Sequence, residues 1–379
     1  MKIAFVSALD PSQTVRFFSG IPYHLYWALT RQAETIPVGS TVSGPPGWWR
    51  LYTRVWGRVT GLQAPWGMRP AILKELADKT AEKVSELDVD VVLTIGQGYL
   101  VFWNSPVPVA SFSDLLYGSA SEEDFPEHHA KPRRLNRHQQ QSMKDYAQRA
   151  IDHALHVFVT SSFILDGARR FGTIIPPEKV TVTHMGANFR EIPVLTMPRQ
   201  QPPPLKLLWA STSWEGKGGL VALAVLDKLI LMGLDVELDM VGHIPDAPTH
   251  PKVVSHGFLH KDIPEEREQL LALYRQSHLL ILPTRKDTTP SGLAEAAAFG
   301  IPAITTPVGG IPGMFGEDEV VLLPFARYQE EAPAAIMNLL ENGRLTKMAH
   351  DVRQRFETTL NWDVIASKIV AELTDALDM

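Results

Sequence analysis

The chain has 379 residues, of which 45% are hydrophobic and 21% are charged, and its formal net charge is −6. This composition is typical of a soluble globular protein with enough residues for two domains, and the acidic balance gives no support to bulk nucleic-acid binding. The sequence contains no cysteine, which excludes disulfides, thiolate metal sites and a cysteine nucleophile.

The apolar segments of the chain are short. The N-terminal "KIAFVSA" (2–8) predicts a buried β-strand rather than a secretory signal. No window approaches the roughly 18 consecutive apolar residues that a membrane span needs. We therefore expect a cytoplasmic protein, with peripheral membrane association as an open alternative.

Short apolar runs alternate with helical stretches along the sequence. In the first half, strands are predicted at 2–8, 89–96, 107–114, 156–162 and 179–186. In the second half, they are predicted at 205–212, 235–242, 252–258, 279–284, 301–306 and 320–324. This alternation is typical of parallel sheets that are covered by helices on both faces.

The halves are joined by "REIPVLTMPRQQPPPLK" (190–206), whose prolines predict a linker. The sequence thus predicts an α/β protein with two Rossmann-like, doubly wound domains that face each other across a cleft. We expect the N-terminal domain at 1–189, the second domain at 207–360, and a C-terminal helix at 361–379 that packs back on the N-terminal domain. Ligands of such sheets bind beyond the carboxyl ends of the strands.

Segment 44–70 combines four tryptophans with Arg50, Arg54, Arg58 and Arg69 and contains no acidic residue. Such a surface could rest on anionic lipid or bind an acidic or lipid-linked molecule. The alternative is a helix that buries its tryptophans in the core and exposes its arginines.

A strand-to-helix turn in the second half combines features that suit an anion and a polyol. Ser291 is a predicted N-cap in "KDTTPSGLAEAAAFG", and the N–H groups of Gly292 and Leu293 would then point at a diphosphate. Glu295, within about the first turn, would accept hydrogen bonds from a ribose diol, and Asp287 would meet sugar hydroxyls. Alternatively, Glu295 only stabilises the helix start and Asp287 is a solvated loop charge.

A second turn of this kind follows the strand at 205–212. Lys217 precedes two glycines that begin a helix in "WEGKGG" (214–219). A lysine beside a helix start can contact a diphosphate as a point charge. The alternative is an exposed loop lysine.

These motifs resemble glycosyltransferase family 4, the retaining GT-B transferases that use nucleotide-activated sugars. Asp287 and Glu295, with the following "AFGIPAITTPVGGIP", resemble the E-x7-E region of that family. The resemblance extends over nearly the whole chain through "SGIPYHLYWAL" (19–29), "VFVTSSFILDGARRFGTIIPPEKVTVTHMGAN" (157–188) and "WEGKGG".

The resemblance implies a role for each matching residue. The implied catalytic residues are Asp287, which contacts the donor sugar, Lys217, which neutralises the diphosphate, and Asp114, which follows an N-domain strand. Asp114 is equally well explained as a helix N-cap. The implied donor-binding residues are Gly20, Lys217, Phe258, Leu259, Arg285, Ser291, Gly292, Leu293 and Glu295.

The sequence departs from the family pattern at three positions. Asp287 stands where the family commonly has Glu, and Thr212 stands where it commonly has the arginine that precedes the loop lysine. Arg285 or Lys286 is a candidate for the missing positive charge. Ser113 stands where the family often has a histidine.

The expected function is the transfer of a hexose from a UDP- or GDP-sugar to a hydroxyl of a glycan, a lipid-linked acceptor or a small molecule. We expect no metal, no cofactor and no nucleic acid to take part, with the nucleotide-sugar as substrate. Asp88 and Asp90 spell a D-x-D motif, but they immediately precede a predicted buried strand and are interpreted as solvated strand-edge residues. Two alternatives are a nucleotide-sugar 2-epimerase and a non-catalytic nucleotide-sugar-binding subunit.

Overall fold

The computed structural model describes residues 1–40, 42, 45–47, 49, 51–53, 66–121, 124–125, 136–192, 203–245, 249–341 and 343–379. The chain forms two compact units. The first holds most of residues 1–183 together with Ala366–Met379. The second holds His184–Ile365 and the short stretch that contains Asp124 and Phe125.

The first unit is built on a six-stranded parallel sheet in the order β2-β1-β3-β4-β5-β6. Its strands are β1 (Lys2–Ser7), β2 (Glu34–Gly39), β3 (Val91–Ile95), β4 (Val109–Ser113), β5 (Ala154–Val159) and β6 (Val180–Val182). Its helices include α1 (Ile21–Leu29), α2 (Pro70–Ser85), α3 (Arg137–His153) and α4 (Ser162–Phe171).

The second unit is built on another six-stranded parallel sheet, in the order β12-β11-β10-β7-β8-β9. Its strands are β7 (Leu205–Ser211), β8 (Val236–Gly242), β9 (Val253–Ser255), β10 (Leu279–Leu282), β11 (Ala303–Thr305) and β12 (Val320–Leu322). Its helices are α5 (Gly219–Leu231), α6 (Pro264–Gln276), α7 (Ser291–Ala298), α8 (Ile311–Met314), α9 (Phe325–Leu340) and α10 (Arg344–Thr358). The last helix, α11 (Trp362–Asp378), begins in this unit and ends in the first.

The two sheets confirm the predicted α/β fold class. Continuous apolar runs such as "LLIL" in β10 are buried along their whole length, as expected for strands that are covered on both faces. The sequence analysis missed β2, which contains Pro37 and lies at the edge of its sheet, where a proline removes no ladder hydrogen bond. The strand predicted at 252–258 is shorter than expected, because only Val253–Ser255 pairs with β8.

The strand order of the second unit places a switch point between β7 and β10. From β7 the chain continues outward through β8 and β9, whereas from β10 it continues in the opposite direction through β11 and β12. The loops that leave β7 and β10 therefore diverge at adjacent positions of one sheet edge, where doubly wound sheets bind ligands. Lys217 follows β7 and Asp287 follows β10, so the topology brings the two predicted residues to one place.

We expect Gly167→Ala to destabilise the first unit. Gly167 lies inside α4, and a Cβ at this position would come within 1.7 Å of the Ser119 carbonyl oxygen. Backbone cannot yield as a flexible side chain can, so we expect a loss of about 1–3 kcal/mol in the free energy of unfolding. Urea unfolding of the variant would measure it.

The matched control for this substitution is Gly316→Ala. A Cβ there would meet its nearest neighbour, the Glu319 carboxyl group, at an ordinary 3.5 Å. We expect its unfolding midpoint to stay near that of the unchanged protein. Equal midpoints for the two variants would contradict the close packing of α4 on the turn at Ser119.

Candidate functional site

The loop between β7 and α5 is held in shape by its own backbone. The Lys217 N–H donates to the Ser213 carbonyl at 3.0 Å, and the Gly219 N–H donates to the Trp214 carbonyl at 2.9 Å. Gly218 adopts a left-handed conformation with φ of +62°, and a Cβ on it would lie 2.3 Å from the Pro283 carbonyl oxygen. Only glycine fits there, which explains the first of the two glycines after Lys217.

The Lys217 ammonium is surrounded by acceptors from the loop that follows β10. Its Nζ atom lies 2.9 Å from Thr284 Oγ1 and 3.1 Å from the Lys286 carbonyl oxygen, and it forms an ion pair with Asp287. The side chains of Lys217 and Asp287 are only 16% and 19% exposed. Lys217 is therefore not an exposed loop lysine, and its ammonium connects the two loops at the switch point.

Asp287 is also fixed on its other side. Its Oδ1 accepts the Thr289 N–H at 3.1 Å. Its carbonyl lies against Gly309, where a Cβ would come within 1.7 Å of that oxygen. Asp287 is therefore held at both its side chain and its backbone and is not a solvated loop charge.

Helix α7 begins at Ser291, but the capping differs from the prediction. Pro290 occupies the N-cap position, and no side chain caps the helix. The predicted Ser291 N-cap is therefore wrong, since Ser291 is already the first helical residue. The Leu293 N–H donates to the Pro290 carbonyl at 3.2 Å, so the prediction that it points unpaired at a ligand is also wrong. Gly292 lies at the second position of the helix.

Glu295 is the fifth residue of α7 and lies beyond the first turn, contrary to the prediction. The residue is only 5% exposed. Its Oε1 atom forms an ion pair with Lys261, and its Oε2 atom accepts the Tyr274 hydroxyl at 3.2 Å. Glu295 is thus a buried carboxylate with two side-chain hydrogen-bond donors, and not only a charge that stabilises the helix start.

Tyr274 is held as a hydrogen-bond donor by its surroundings. Burial raises the pKa of its phenol well above the usual range, and the Glu295 carboxylate adds to this effect. The ring lies in an aromatic cluster, 5.4 Å from Phe189 and 5.2 Å from Phe299 between ring centroids. The hydroxyl therefore stays protonated and can donate to Glu295.

The loop after β9 presents one aromatic ring to solvent. Phe258 is 36% exposed and stacks on His243 with a 4.6 Å centroid distance and an 8° interplanar angle. His260 packs edge-on against the same ring at 4.7 Å. Leu259 is only 8% exposed and belongs to the hydrophobic core. Phe258 thus offers a flat accessible surface, whereas Leu259 anchors the loop.

The two cations proposed to replace the missing arginine both lie on aromatic rings. The Arg285 guanidinium is 3.9 Å from the centroid of Phe325, and the Lys286 ammonium is 5.1 Å from that of Phe125. The Arg285 N–H donates to the Gly216 carbonyl at 2.9 Å, which ties its backbone to the Lys217 loop. Thr212 itself is exposed.

Gly20 and Asp114 lie in the first unit. Gly20 has φ of +84°, and it follows Phe18 and Ser19, which have φ of +49° and +56°. Such consecutive left-handed residues are rare and mark a strained turn. Asp114 directly follows β4 and is half-buried.

Two further predictions concern residues of the first unit. Asp88 forms an ion pair with Lys2, and Asp90 accepts the Lys2 N–H at 2.7 Å, in agreement with their interpretation as strand-edge residues. Most of segment 44–70, including Arg50, Arg54 and Arg58, lies outside the described residues. In the described part of this segment, Arg69 lies 5.0 Å from the Trp49 ring centroid.

The sequence analysis missed three residues of the candidate site. The Thr284 hydroxyl accepts a hydrogen bond from Lys217. Glu295 accepts from the Tyr274 hydroxyl and from the Lys261 ammonium. Lys261 follows "HGFLH" directly, and its ammonium lies 4.6 Å from the Phe189 ring centroid. In the sequence, only the position of Lys261 close to the predicted donor-binding residues Phe258 and Leu259 could have indicated it. Its partner Glu295 is 34 residues away.

Comparisons with known proteins find similarity in the second unit. Residues 204–342 match the family model described as "Glycosyl transferases group 1", a range that includes the residues from Lys217 to Glu295. The MMP alpha-(1->4)-mannosyltransferase of Mycolicibacterium hassiacum is 26% identical over 149 residues, which make up 38% of this chain and 36% of that protein. The chain therefore spans about a third of the length of this relative.

Solved structures show the fold. The apo form of the lipopolysaccharide outer core galactosyltransferase WaaB has a TM-score of 0.61 at 13% identity, with 99% of each chain covered. Sucrose-phosphate synthase from Thermosynechococcus elongatus has a TM-score of 0.64 at 15% identity, with 100% and 99% covered. HepE of Anabaena in complex with UDP has a TM-score of 0.63 at 15% identity, with 99% and 100% covered. These likenesses show that the fold is GT-B.

No group of three or more His, Asp or Glu residues within the described ranges is arranged to hold a metal ion. In the same ranges, no helix has both the length and the apolar character that a membrane crossing requires.

We expect Tyr274→Phe to cost more stability than Tyr328→Phe. Both hydroxyls are buried, but Tyr274 donates to the Glu295 carboxylate, whereas Tyr328 donates to the Ile304 carbonyl at 2.6 Å. A hydrogen bond to a charged group contributes about 1.5–3 kcal/mol, against about 0.5–1.5 kcal/mol for a neutral pair. Urea unfolding of the two variants measures the difference, and a larger loss for Tyr328→Phe would contradict a charged Glu295.

Proposed function

We propose that the protein is a retaining glycosyltransferase that moves a hexose from a nucleotide-sugar to an acceptor hydroxyl. The observation that carries this proposal is the Lys217 ammonium, held by Asp287, Thr284 and the Lys286 carbonyl at the switch point of the second sheet. The proposal is further supported by the family match over residues 204–342 and by the GT-B fold.

The geometry suggests a role for each group along the donor. Lys217 and the start of α7 would stabilise the negative charge of the departing diphosphate. Glu295 would accept hydrogen bonds from the ribose diol, and Asp287 would contact the hydroxyls of the sugar. Phe258 would form one wall of the base site, since an exposed ring offers a stacking surface.

The proposed reaction breaks the bond between the anomeric carbon and the diphosphate oxygen and forms a bond from the acceptor oxygen on the same face. The acceptor proton passes to the departing phosphate oxygen, so no protein base is needed, and we propose that neither a protein nucleophile nor a metal ion takes part. Fixed positive charge and helix N–H groups can stabilise such a leaving group without rearranging during the reaction. Asp114 and Gly20 are proposed as a catalytic residue and a donor-binding residue, respectively.

The donor is proposed to be a UDP- or GDP-linked hexose. HepE, a protein of similar fold, has been solved with UDP and with UDP-glucose, and the curated relative is a mannosyltransferase. The proposed acceptor is a glycan, a lipid-linked molecule or a small molecule, as in polysaccharide biosynthesis. We propose a cytoplasmic location, with peripheral membrane contact through segment 44–70.

We expect Lys217→Ala to lower kcat at least about tenfold, because the departing diphosphate loses a positive charge that acts in the transition state. Sugar transfer from UDP- and GDP-hexoses to a panel of acceptors would be measured for this variant and for Lys228→Ala. Lys228 lies on α5 and pairs with Glu330 at the surface, so its removal should leave kcat unchanged. Equal rates for the Lys217 variant and the unchanged protein would refute the assignment.

We expect no epimer to form when the protein is incubated with UDP-GlcNAc and no acceptor. A transferase needs an acceptor hydroxyl, whereas a nucleotide-sugar 2-epimerase converts the donor alone. NMR of the sugar ring protons distinguishes the two epimers. Formation of the 2-epimer would replace the transferase by an epimerase, and donor binding without product from any acceptor would indicate a non-catalytic binding subunit.

A further inference from the structure

The buried Glu295 carboxylate is matched by a lysine from another loop. Lys261 follows β9, and its ammonium forms an ion pair with Oε1 of Glu295 above the ring of Phe189. The lysine side chain is 25% exposed, whereas the glutamate side chain is 7% exposed. The lysine is thus partly exposed to solvent, whereas the carboxylate with which it pairs is almost fully enclosed.

We propose that Lys261 is a positioning residue for nucleotide recognition: it orients Glu295 so that this carboxylate can accept hydrogen bonds from the ribose diol. The inference rests on the proposed function, because it concerns the same donor site. A buried carboxylate that lacks its cation is costly, and without Lys261 the carboxylate would keep only the Tyr274 hydroxyl as a donor among the contacts described above.

The number of acceptor sites on Glu295 allows the diol to bind without displacing Lys261. An ionised carboxylate offers about four lone-pair sites. Lys261 uses one site on Oε1 and Tyr274 uses one on Oε2. With respect to these two contacts among the described residues, each oxygen keeps one acceptor site, and a ribose diol has two hydroxyl donors to place.

The charge of Lys261 also suits a diphosphate. A negative carboxylate near a diphosphate would repel it, and the repulsion is strong where solvent is excluded. The positive charge of Lys261 balances the negative charge of Glu295, as the charge of Lys217 balances that of Asp287. Lysine at 261 therefore serves both the ribose contact and the approach of the neighbouring phosphates.

The test compares ribose and 2′-deoxyribose nucleotides. Binding of UDP, GDP and their 2′-deoxy forms would be measured by titration calorimetry for the unchanged protein, Lys261→Met, Lys261→Arg and Glu295→Gln. We expect the unchanged protein to prefer the ribose form by about tenfold or more, since the deoxy form loses a hydrogen bond to a charged group. Lys261→Met should lose most of this preference, as Glu295→Gln should, and Lys261→Arg should retain part of it.

The matched control is Lys252→Met. Lys252 directly precedes β9 and pairs with Asp235 at the surface, so we expect this variant to keep the preference for ribose. If Lys261 only stabilised the fold, Lys261→Met would lower the melting temperature but leave the ratio of the two affinities unchanged, and that result would overturn the inference.

Failure of the proposed function gives a different result from failure of the inference. If the unchanged protein binds no nucleotide diphosphate, both are overturned. If it binds the ribose and the 2′-deoxyribose nucleotides with equal affinity, the proposed role of Glu295 is wrong, and the inference is overturned with it. If Lys261→Met does not fold, the Lys261→Arg variant decides. A preference for ribose that is partly retained in Lys261→Arg and lost in Glu295→Gln supports a cation at this position, and an unchanged preference in Glu295→Gln contradicts it.

Discussion

The ion pair between Lys217 and Asp287 is the contact on which the candidate site depends. Lys217 follows β7 and Asp287 follows β10. These strands are neighbours in the sheet although 70 residues separate Lys217 from Asp287 in the sequence. The pair joins two loops that diverge at the switch point. Gly218 allows the first loop to approach Pro283, and Gly309 leaves room for the Asp287 carbonyl. The two glycines therefore allow the close backbone approach that the ion pair between Lys217 and Asp287 requires.

Pairing each acid with a lysine resolves a conflict in the sequence. Carboxylates beside a helix start would repel the anion that the helix N–H groups attract. In the structure, Asp287 is balanced by Lys217 and Glu295 by Lys261. Each carboxylate can then act as an acceptor for hydroxyls at little cost to the binding of a nearby diphosphate.

The fold and part of the site could be predicted from the sequence because they depend on local patterns. Continuous apolar runs and glycine-rich turns predicted the two parallel sheets and the position of Lys217. The capping of α7 could not be predicted, because Ser291 is a good N-cap by type and only the backbone shows that Pro290 occupies that position. Lys261 could not be assigned to Glu295, because their contact joins a loop to a helix that lies 34 residues further along the chain.

The hydrogen bonds of Lys217 suggest how donor binding would act on Asp287 under the proposed function. An ammonium has three N–H donors, and in this structure Thr284, the Lys286 carbonyl and Asp287 accept from it. A diphosphate that binds Lys217 has to share or replace one of these acceptors. The Lys286 carbonyl is fixed in the backbone, and Thr284 also donates to that carbonyl at 3.1 Å, whereas Asp287 has a second donor, the Thr289 N–H, that holds its carboxylate independently of Lys217. Phosphate binding would thus free an acceptor site on the Asp287 carboxylate for a sugar hydroxyl, while Thr289 keeps that carboxylate in place.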